Sequence, residues 1–537
     1  YIATVNIEAA FHDLVGEYRP FEGIVLTDTF QLAEGTPKID GMEILEGNSE
    51  RAKRQKTQDI TVVIGNPPYS VGQESVNDNN QNLKYEVLDQ RIAETYVARS
   101  AVGNKNKLYD SYIRAIRWAS DRITDEGIVA FVSNGGYIDG TSADGLRKCL
   151  VDEFDAIYCY NLRGNARTAG EQRQKEAGNV FGSGSRNTVA ILILVKGAKH
   201  AGTDARCTLY YRDIGDYLSR EDKLRILSSQ SLDTVDWQQI TPNAAGDWIN
   251  QRDERFASFQ AIGEKDRVLR ERAVFSVYSS GLKTGRDPWI YNFSKRKLME
   301  NVESMIDFYN QQVDGFAEHC AINGITAPTT KDVEQWINTD PKRISWNRAD
   351  KTRIIKGEKY TYDRDRVVTS SYRPFTKQKL YFDSRLNDMT YQLPAMFPTP
   401  EHENFGFYNV GCGSAVPFSV LMLDTIPNLH VTGAGSGGVF FSRYIYRERG
   451  KGDDLFAASE EESGFERVDN ITDAALAAYR TTYADPTITK DDIFYYTYGL
   501  LHSPEYRDRF AADLKKSLPR IPKVRDFRGY AEAGRKL

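Results

Sequence analysis

The sequence predicts an α/β protein in two parts, a doubly wound, mainly parallel sheet followed by a second domain of mixed α+β character. Two observations carry this. Through about residue 200, apolar runs short enough to be buried strands alternate with segments of helical periodicity, and a strand buried on both faces needs a crossover helix to reach its parallel neighbour. Beyond that point the chain changes to shorter, aromatic-rich segments punctuated by Gly and Pro, with no internal repeat.

The elements follow in order. Ile2, Val5, Ala9 and Leu14 fall at roughly helical spacing, and Gly23-Ile24-Val25-Leu26 reads as a short buried strand. Asn48 to Gln58 has the composition of an exposed helix leading into the strand Ile60 to Gly65. After a Gln/Asn-rich loop around Gln73 to Asn82, Leu108, Tyr112, Ala115, Ile116 and Ala119 mark one helix face, closed by the turn Asp125-Glu126-Gly127. Ile128 to Val132 is the next strand; Ser142 can cap a helix carrying Leu146, Leu150 and Phe154, and Ala156 to Tyr160 returns as a strand. Thr188 to Val195 is the most hydrophobic strand of all, and Gly433 to Gly438 reads as a loop.

The totals exclude several classes. At 40% hydrophobic and 12% aromatic, 537 residues suffice for more than one packed domain, and no stretch approaches a membrane span. Tyr1 is neither an initiator Met nor part of a secretory signal, so the chain reads as trimmed at its start. A net charge of −5 requires any nucleic-acid surface to be a local basic stripe. Cys149, Cys159, Cys207, Cys320 and Cys412 are scattered without a C-x-x-C pair and read as reduced; the six His show no zinc spacing, so no metal site is expected.

The chemistry concentrates at Asn66-Pro67-Pro68-Tyr69, directly after the strand Ile60 to Gly65. An exocyclic amine shares its lone pair with its ring and is a poor nucleophile until two acceptors aimed at its N–H groups localise that pair. The Asn66 side-chain oxygen is one acceptor and the Pro67 carbonyl the second, with no competing N–H on the proline. Two prolines stiffen the turn, and Tyr69 can stack on a base rotated out of its duplex. Ligands of doubly wound sheets sit beyond the strand C-terminal ends, where Asn66, Asp28 and Ser133-Asn134-Gly135-Gly136 all fall. A bare strand and Pro-rich turn is the competing reading of the tetrapeptide.

These landmarks resemble the amino-methyltransferases that modify adenine in DNA, in particular the single-polypeptide Type ISP restriction-modification enzymes. Leu108-Tyr109-Asp110-Ser111-Tyr112 with Ile128 to Gly136 is similar to the next block of that catalytic domain, and Asn179-Val180-Phe181 to the segment whose aromatic holds the flipped base. Gly281-Leu282-Lys283-Thr284-Gly285-Arg286-Asp287, Trp289 to Phe293, Tyr372-Arg373-Pro374-Phe375-Thr376-Lys377 and Leu518 to Pro522 resemble segments of the target-recognition domain. The resemblance implies a Rossmann-like methyltransferase sheet, incomplete at its N-terminus, over residues 1–215. A recognition domain follows over 216–537, with a linker near 216–265. It implies S-adenosylmethionine as cofactor with Asp28 at its adenine, Tyr69 and Phe181 on the flipped base, and double-stranded DNA as partner. Upstream nuclease and helicase domains and a bacterial cytoplasmic setting are also implied. Lys283, Arg286, Arg373, Lys377, Lys379 and Arg385 are the implied DNA-binding set. Basic residues interleaved with Tyr372, Phe375, Tyr381 and Phe382 suit phosphates and bases, although composition alone favours an ordinary core strand pair with solvated charges.

The sequence departs from the complete pattern. Gly16, Gly23, Gly35, Gly41, Gly47 and Gly65 are isolated, so the Gly-rich loop that lets a backbone approach the methionine end of the cofactor is absent, and Val410-Gly411-Cys412-Gly413-Ser414 is too weak a substitute. No G-x-x-x-x-G-K-[ST] loop occurs; Asp213 with Glu221-Asp222-Lys223 reads as a polar helix and its approach, and His319 beside Cys320 as ordinary structure. Two alternatives stay open: a catalytically inert, sequence-specific DNA-binding module, and a protein-glutamine methyltransferase, which uses a similar tetrapeptide on a side-chain amide.

Overall fold

The computed structural model describes residues 2–21, 23–31, 34, 47–68, 84–103, 105–168, 170–182, 185–197, 207–414, 416–433, 435–448 and 464–537. The chain divides into two compact units, Tyr1–Gln251 and Arg252–Leu537.

Six strands form the sheet of the first unit among the described residues: β1 (Val62–Gly65), β2 (Gly127–Asn134), β3 (Ala156–Arg163), β4 (Val189–Lys196), β5 (Thr208–Asp213) and β6 (Gln238–Ile240), in the order β1-β2-β4-β3-β5-β6. The helices are α1 (Ile2–Val15), α2 (Asn48–Thr57), α3 (Glu86–Ile92), α4 (Ser111–Arg122), α5 (Asp144–Glu153), α6 (Gly170–Glu176) and α7 (Arg220–Ser228). The core joins Ile113, Ile116 and Ala119 of α4 and Leu146 and Leu150 of α5 to Val129, Ile157, Leu192 and Leu194 of the sheet. A π-helical turn, Ala93–Val97, extends α3 and lies so close to α5 that a Cβ on Gly145 would sit 1.9 Å from the Tyr96 carbonyl oxygen.

The sheet is not uniformly parallel. β1 runs parallel to β2, and β3 to β5, but β4 lies antiparallel between β2 and β3, and β6 is antiparallel to β5. Apolar periodicity reports burial on two faces and is blind to strand direction, so Val189–Lys196 reads the same either way. The strand expected at Gly23 to Leu26 is absent. Its backbone is bonded instead by side chains of α2: the buried Asn48 amide accepts from Leu26 N (2.8 Å) and donates to its carbonyl (3.0 Å), while Arg51 Nε donates to Ile24 O (3.0 Å). β1 is an edge of this sheet with one face open, Val62 being 57% and Ile64 81% exposed. Ser142 does not cap α5; the helix starts at Asp144, whose buried carboxylate accepts from Ser100 Oγ (2.6 Å) and Ala101 N (2.8 Å).

Residues 216–251 are built into the first unit through α7, β6 and Trp248, which is 1% exposed in its core. Buried Arg147 of α5 fastens this segment, donating to Gly246 O at 2.6 Å.

The second unit contains β7 (Gln260–Ala261), β8 (Ser279–Ser280), β9 (Tyr291–Asn292), β10 (Val367–Arg373), β11 (Thr376–Tyr381), β12 (Gly406–Val410), β13 (Val420–Leu423), β14 (Ile426–Pro427), β15 (Gly438–Ser442), β16 (Tyr444–Glu448), β17 (Phe465–Asp469) and β18 (Arg520–Ile521). Two four-stranded sheets, β14-β10-β11-β9 and β13-β12-β15-β8, stand beside the pairs β16-β17 and β18-β7. The long helix Lys295–Ile322 buries Leu298, Val302, Met305, Ile306, Tyr309, Val313 and Phe316 at 3- and 4-residue intervals, one apolar stripe against the β9–β11 side of the core. A second cluster gathers Phe275, Phe407, Phe441 and Phe494 with the C-terminal helices. No described helix is long and apolar enough to cross a membrane.

Candidate active site and nucleic-acid interface

Topology gathers one rim of the first unit. Asn66 is one residue beyond the last pair of β1, Gly65 with Phe131 of β2. Because β4 is antiparallel, its first residue meets the last residues of both neighbours: Val189 pairs with Asn134 of β2 and Arg163 of β3. The ends of β1, β2 and β3 and the start of β4 therefore share one edge, and β1 and β4 stand two strand spacings apart, roughly 10 Å. Pro67 is buried, whereas Asn66 and Pro68 are exposed. Tyr69 and the stretch from Gln73 to Asn82 lie outside the described residues.

The loop after β2 is drawn tightly onto the rim. Asn134 Oδ1 accepts from Gly136 N (2.8 Å), and Gly135 N donates to Thr188 O (2.8 Å). A Cβ on Gly135 would meet Thr188 Cγ2 at 2.9 Å, so only Gly permits that approach. Arg147 Nη1 then donates to Tyr137 O (2.7 Å) and Gly140 O (2.8 Å), holding the loop from behind.

Phe181 belongs to the connection between β3 and β4 and is 42% exposed. Asn179 builds its turn: the side-chain amide donates to Gly164 O (3.1 Å) and Asn187 O (2.8 Å), and its oxygen accepts from Phe181 N (2.9 Å). Lys223 of α7, fully buried, donates to Glu176 O (3.0 Å) and Gly178 O (2.6 Å), and Arg220 Nε to Val180 O (3.0 Å). Asp213, at the end of β5, binds Arg163 Nε at 2.6 Å, and Ser219 caps α7 by accepting from Asp222 N, which accounts for both halves of the acidic grouping.

Burial lowers the Lys223 pKa to about 8 from its ordinary 10.5. The folded chain thus releases this proton before the unfolded chain does, and the unfolded state binds more protons between pH 8 and 10.5. Stability of the wild type relative to Lys223→Met is accordingly expected to rise across that window, measured by urea unfolding at stepped pH; parallel curves for the two proteins would count against it.

Asp28 is half-buried and follows no strand, contrary to expectation. Its carboxylate is oriented nonetheless: Oδ1 accepts from Phe30 N (3.0 Å) and Oδ2 from Tyr85 OH (2.8 Å). Tyr85 packs edge-on to Phe30 at 5.3 Å, and burial followed by the Asp28 hydrogen bond holds its phenol protonated well above the ordinary range. Among the described residues no group of three or more His, Cys, Asp or Glu is placed to hold a metal ion.

In the second unit the proposed basic set separates. Arg286 is withdrawn from any surface: it is fully buried and ion-paired with equally buried Asp350, beside Met305. Sequence position could not reveal this, because Asp350 reaches Arg286 only through the fold. The other five reach solvent to some degree. Lys283 pairs with Asp388 (2.7 Å), Lys377 with Asp424 (2.6 Å) and Arg385 with Glu358 (3.4 Å), all with half-exposed basic side chains, so these exposed pairs are weak and exchangeable. Lys379 Nζ donates to Thr369 Oγ1 (3.0 Å), and Arg373 lies 4.1 Å over the Tyr372 ring while donating to Asn428 Oδ1 (3.2 Å). Arg373 and Lys377 flank the tip of the β10–β11 hairpin, above a groove of about 590 Å³ floored by Leu421, Met422 and Leu423.

Residues 273–537 match the family described as Type ISP C-terminal specificity domain. Three solved structures are similar to the chain over 100% of its length. A nuclease-deletion mutant of the Type ISP restriction-modification enzyme LlaGI in complex with a DNA substrate mimic is 41% identical with a TM-score of 0.83. The DrdV–DNA complex is 35% identical (TM-score 0.83), and the ATP-dependent Type ISP enzyme LlaBIII bound to DNA is 35% identical (TM-score 0.82). The chain spans 46%, 49% and 34% of those three chains, respectively. Among curated proteins none matches. By its C-terminal specificity domain and by its likeness along the whole length, the chain is similar to the corresponding portion of the Type ISP restriction-modification enzymes.

Proposed function

We propose that this chain is the catalytic and target-recognition portion of an adenine-specific DNA methyltransferase within a restriction-modification polypeptide that also carries nuclease and helicase domains. The observation that carries the reading is the position of Asn66-Pro67 at the rim end of β1, across β2 from the start of β4 and the Phe181 loop. DNA in the complexes of LlaGI, DrdV and LlaBIII supports duplex DNA as the partner.

In this reading the first unit is the Rossmann-like methyltransferase sheet, residues 1–215 with the elements that follow to Gln251. An adenine rotated out of its duplex would be sandwiched by Tyr69 and Phe181, with its amine presented to Asn66 and Pro67. Asn66 Oδ1 and the Pro67 carbonyl accept the two amine hydrogens, draw the lone pair out of the ring and aim it for attack. S-adenosylmethionine, when bound, supplies the methyl group. The residues present fit its adenine end: the Asp28 carboxylate, already oriented by Tyr85 and Phe30, keeps acceptor capacity for an exocyclic amine. For the methionine end the sequence before Asn66 offers only isolated glycines and no G-x-G. Lys283, Arg373, Lys377, Lys379 and Arg385 position the duplex on the second unit, each by exchanging a protein partner for a phosphate or base edge.

The specificity domain over residues 273–537 also suits one other reading, a catalytically inert, sequence-specific DNA-binding module. Methylation of a protein glutamine would use the same acceptor pair, but a specificity domain over residues 273–537 weighs against it. Expression of the full-length polypeptide in a host lacking adenine methylation, followed by sequencing of modified bases, separates these readings. N6-methyladenine in one sequence context is the expected outcome. Specific duplex binding without any modified base leaves only the module, and modified cytosine would discard the adenine assignment.

A further inference from the structure

The β10–β11 hairpin closes on two residues, Pro374 and Phe375, with Arg373 paired to Thr376. Proline at the first turn position has a fixed negative φ, and Phe375 at the second has φ 57°. A negative followed by a positive φ is the pattern of a type II turn, whose second central position is normally Gly or Asn because a Cβ is strained there. The chain places a phenylalanine at this position, and its ring is 94% exposed. Neither local conformation nor burial accounts for that choice. Strained backbone of this kind persists where a side chain is needed at a given point in space.

The surroundings specify the need. Arg373 and Lys377 flank the ring on the two strands, so its neighbours suit phosphates. A bulge at Tyr372, where the register shifts between Ser371 and Arg373, turns the tip relative to the ladder below. Pro374 stiffens the tip further.

We infer that Phe375 is an aromatic wedge that enters the base stack of the bound duplex and unstacks one step, reading the target through the ease with which that step opens. This rests on the DNA-binding reading above and adds to it a recognition residue that makes no hydrogen bond to a base. Apolar side chains driven between base steps and aromatic platforms under unstacked bases are the established physical means of doing this.

The test uses the full-length polypeptide. A randomised duplex pool is selected for binding, and the winning duplex is then scanned with 2-aminopurine, whose fluorescence rises on unstacking. Wild type should brighten at one step. Phe375→Gly and Phe375→Ala should lose that signal and bind about 5- to 150-fold more weakly, the range for removing one base–aromatic stack. Phe375→Trp should keep both. The glycine variant should melt no lower than wild type, because Gly suits the turn. Equal affinity and equal fluorescence in wild type and Phe375→Gly would overturn the wedge while leaving DNA binding intact. A wild type that enriches no duplex would instead overturn the DNA-binding reading and the wedge with it.

Discussion

Asn66→Ala in the full-length polypeptide should lower methyl transfer to DNA by on the order of 10²- to 10³-fold, the usual loss when one preorganised polar partner of a reacting group is removed. Asn66 is exposed, lies beyond the final β1–β2 pair, and is followed by Pro67 and Pro68, which hold the turn irrespective of the residue before them. Affinity for the selected duplex and the melting temperature should therefore stay near wild type while turnover of radiolabelled S-adenosylmethionine into DNA collapses. Asn66→Asp retains an oxygen acceptor at the same place and should recover part of the rate. A full-rate alanine variant would remove the amine-polarising role altogether.

Arg286→Ala should destabilise the second unit by about 3–5 kcal/mol, the cost of stranding a buried charge. The side chains of Arg286 and Asp350 are both 0% exposed. Asp350 also accepts from Tyr360 OH (2.7 Å) and, within the cap of its own helix, from Asn347 N (3.0 Å). Removing the guanidinium leaves a buried carboxylate with two neutral donors, Tyr360 OH and Asn347 N, and with the cation Arg353 bonded to Tyr360 OH (2.8 Å) rather than to it. Replacing both partners, as in Arg286→Met with Asp350→Leu, removes the stranded charge and should recover much of the loss. Urea unfolding gives the comparison. Duplex affinity measured well below the transition should be unchanged in the single variant, because the residue packs inside the unit; a selective fall in affinity with unaltered unfolding would return Arg286 to the DNA-contacting set.

The contrast between these residues shows what the chain discloses before folding. Ile128 to Val132, Ala156 to Tyr160 and Thr188 to Val195 announce strands because their burial is written into consecutive apolar residues; the first two sit inside β2 and β3, and the third begins one residue before β4. The candidate site residues hang on the same framework: Asn66 follows β1, Asn134 ends β2, and Phe181 lies in the connection from β3 to β4. Strand direction was not legible, since burial patterns are symmetric under reversal. Gly23 to Leu26 misled because its composition suits a strand while its backbone is bonded by Asn48 and Arg51, a partnership no local window contains. Arg286 misled in the opposite sense, a cation in a polar segment whose partner comes from the helix Arg348–Ile355. The helix Lys295–Ile322 does carry its 3.6-residue stripe, although the aromatic and Gly/Pro punctuation around it suggested shorter elements.

The place of β4 has a consequence for how the first unit comes into being. β4 is translated after both of its neighbours, yet Gly127 needs Lys196 and Asn134 needs Val189 before the middle of the sheet exists. Until then the growing polypeptide holds the β1–β2 pair and an unpartnered β3, with raw edges facing an empty slot, and pairings so distant along the chain form slowly. The keystone arrives only after both strands it joins, so a ribosome that pauses just before Val189 leaves an intermediate with bare strand edges, prone to clump with its own kind.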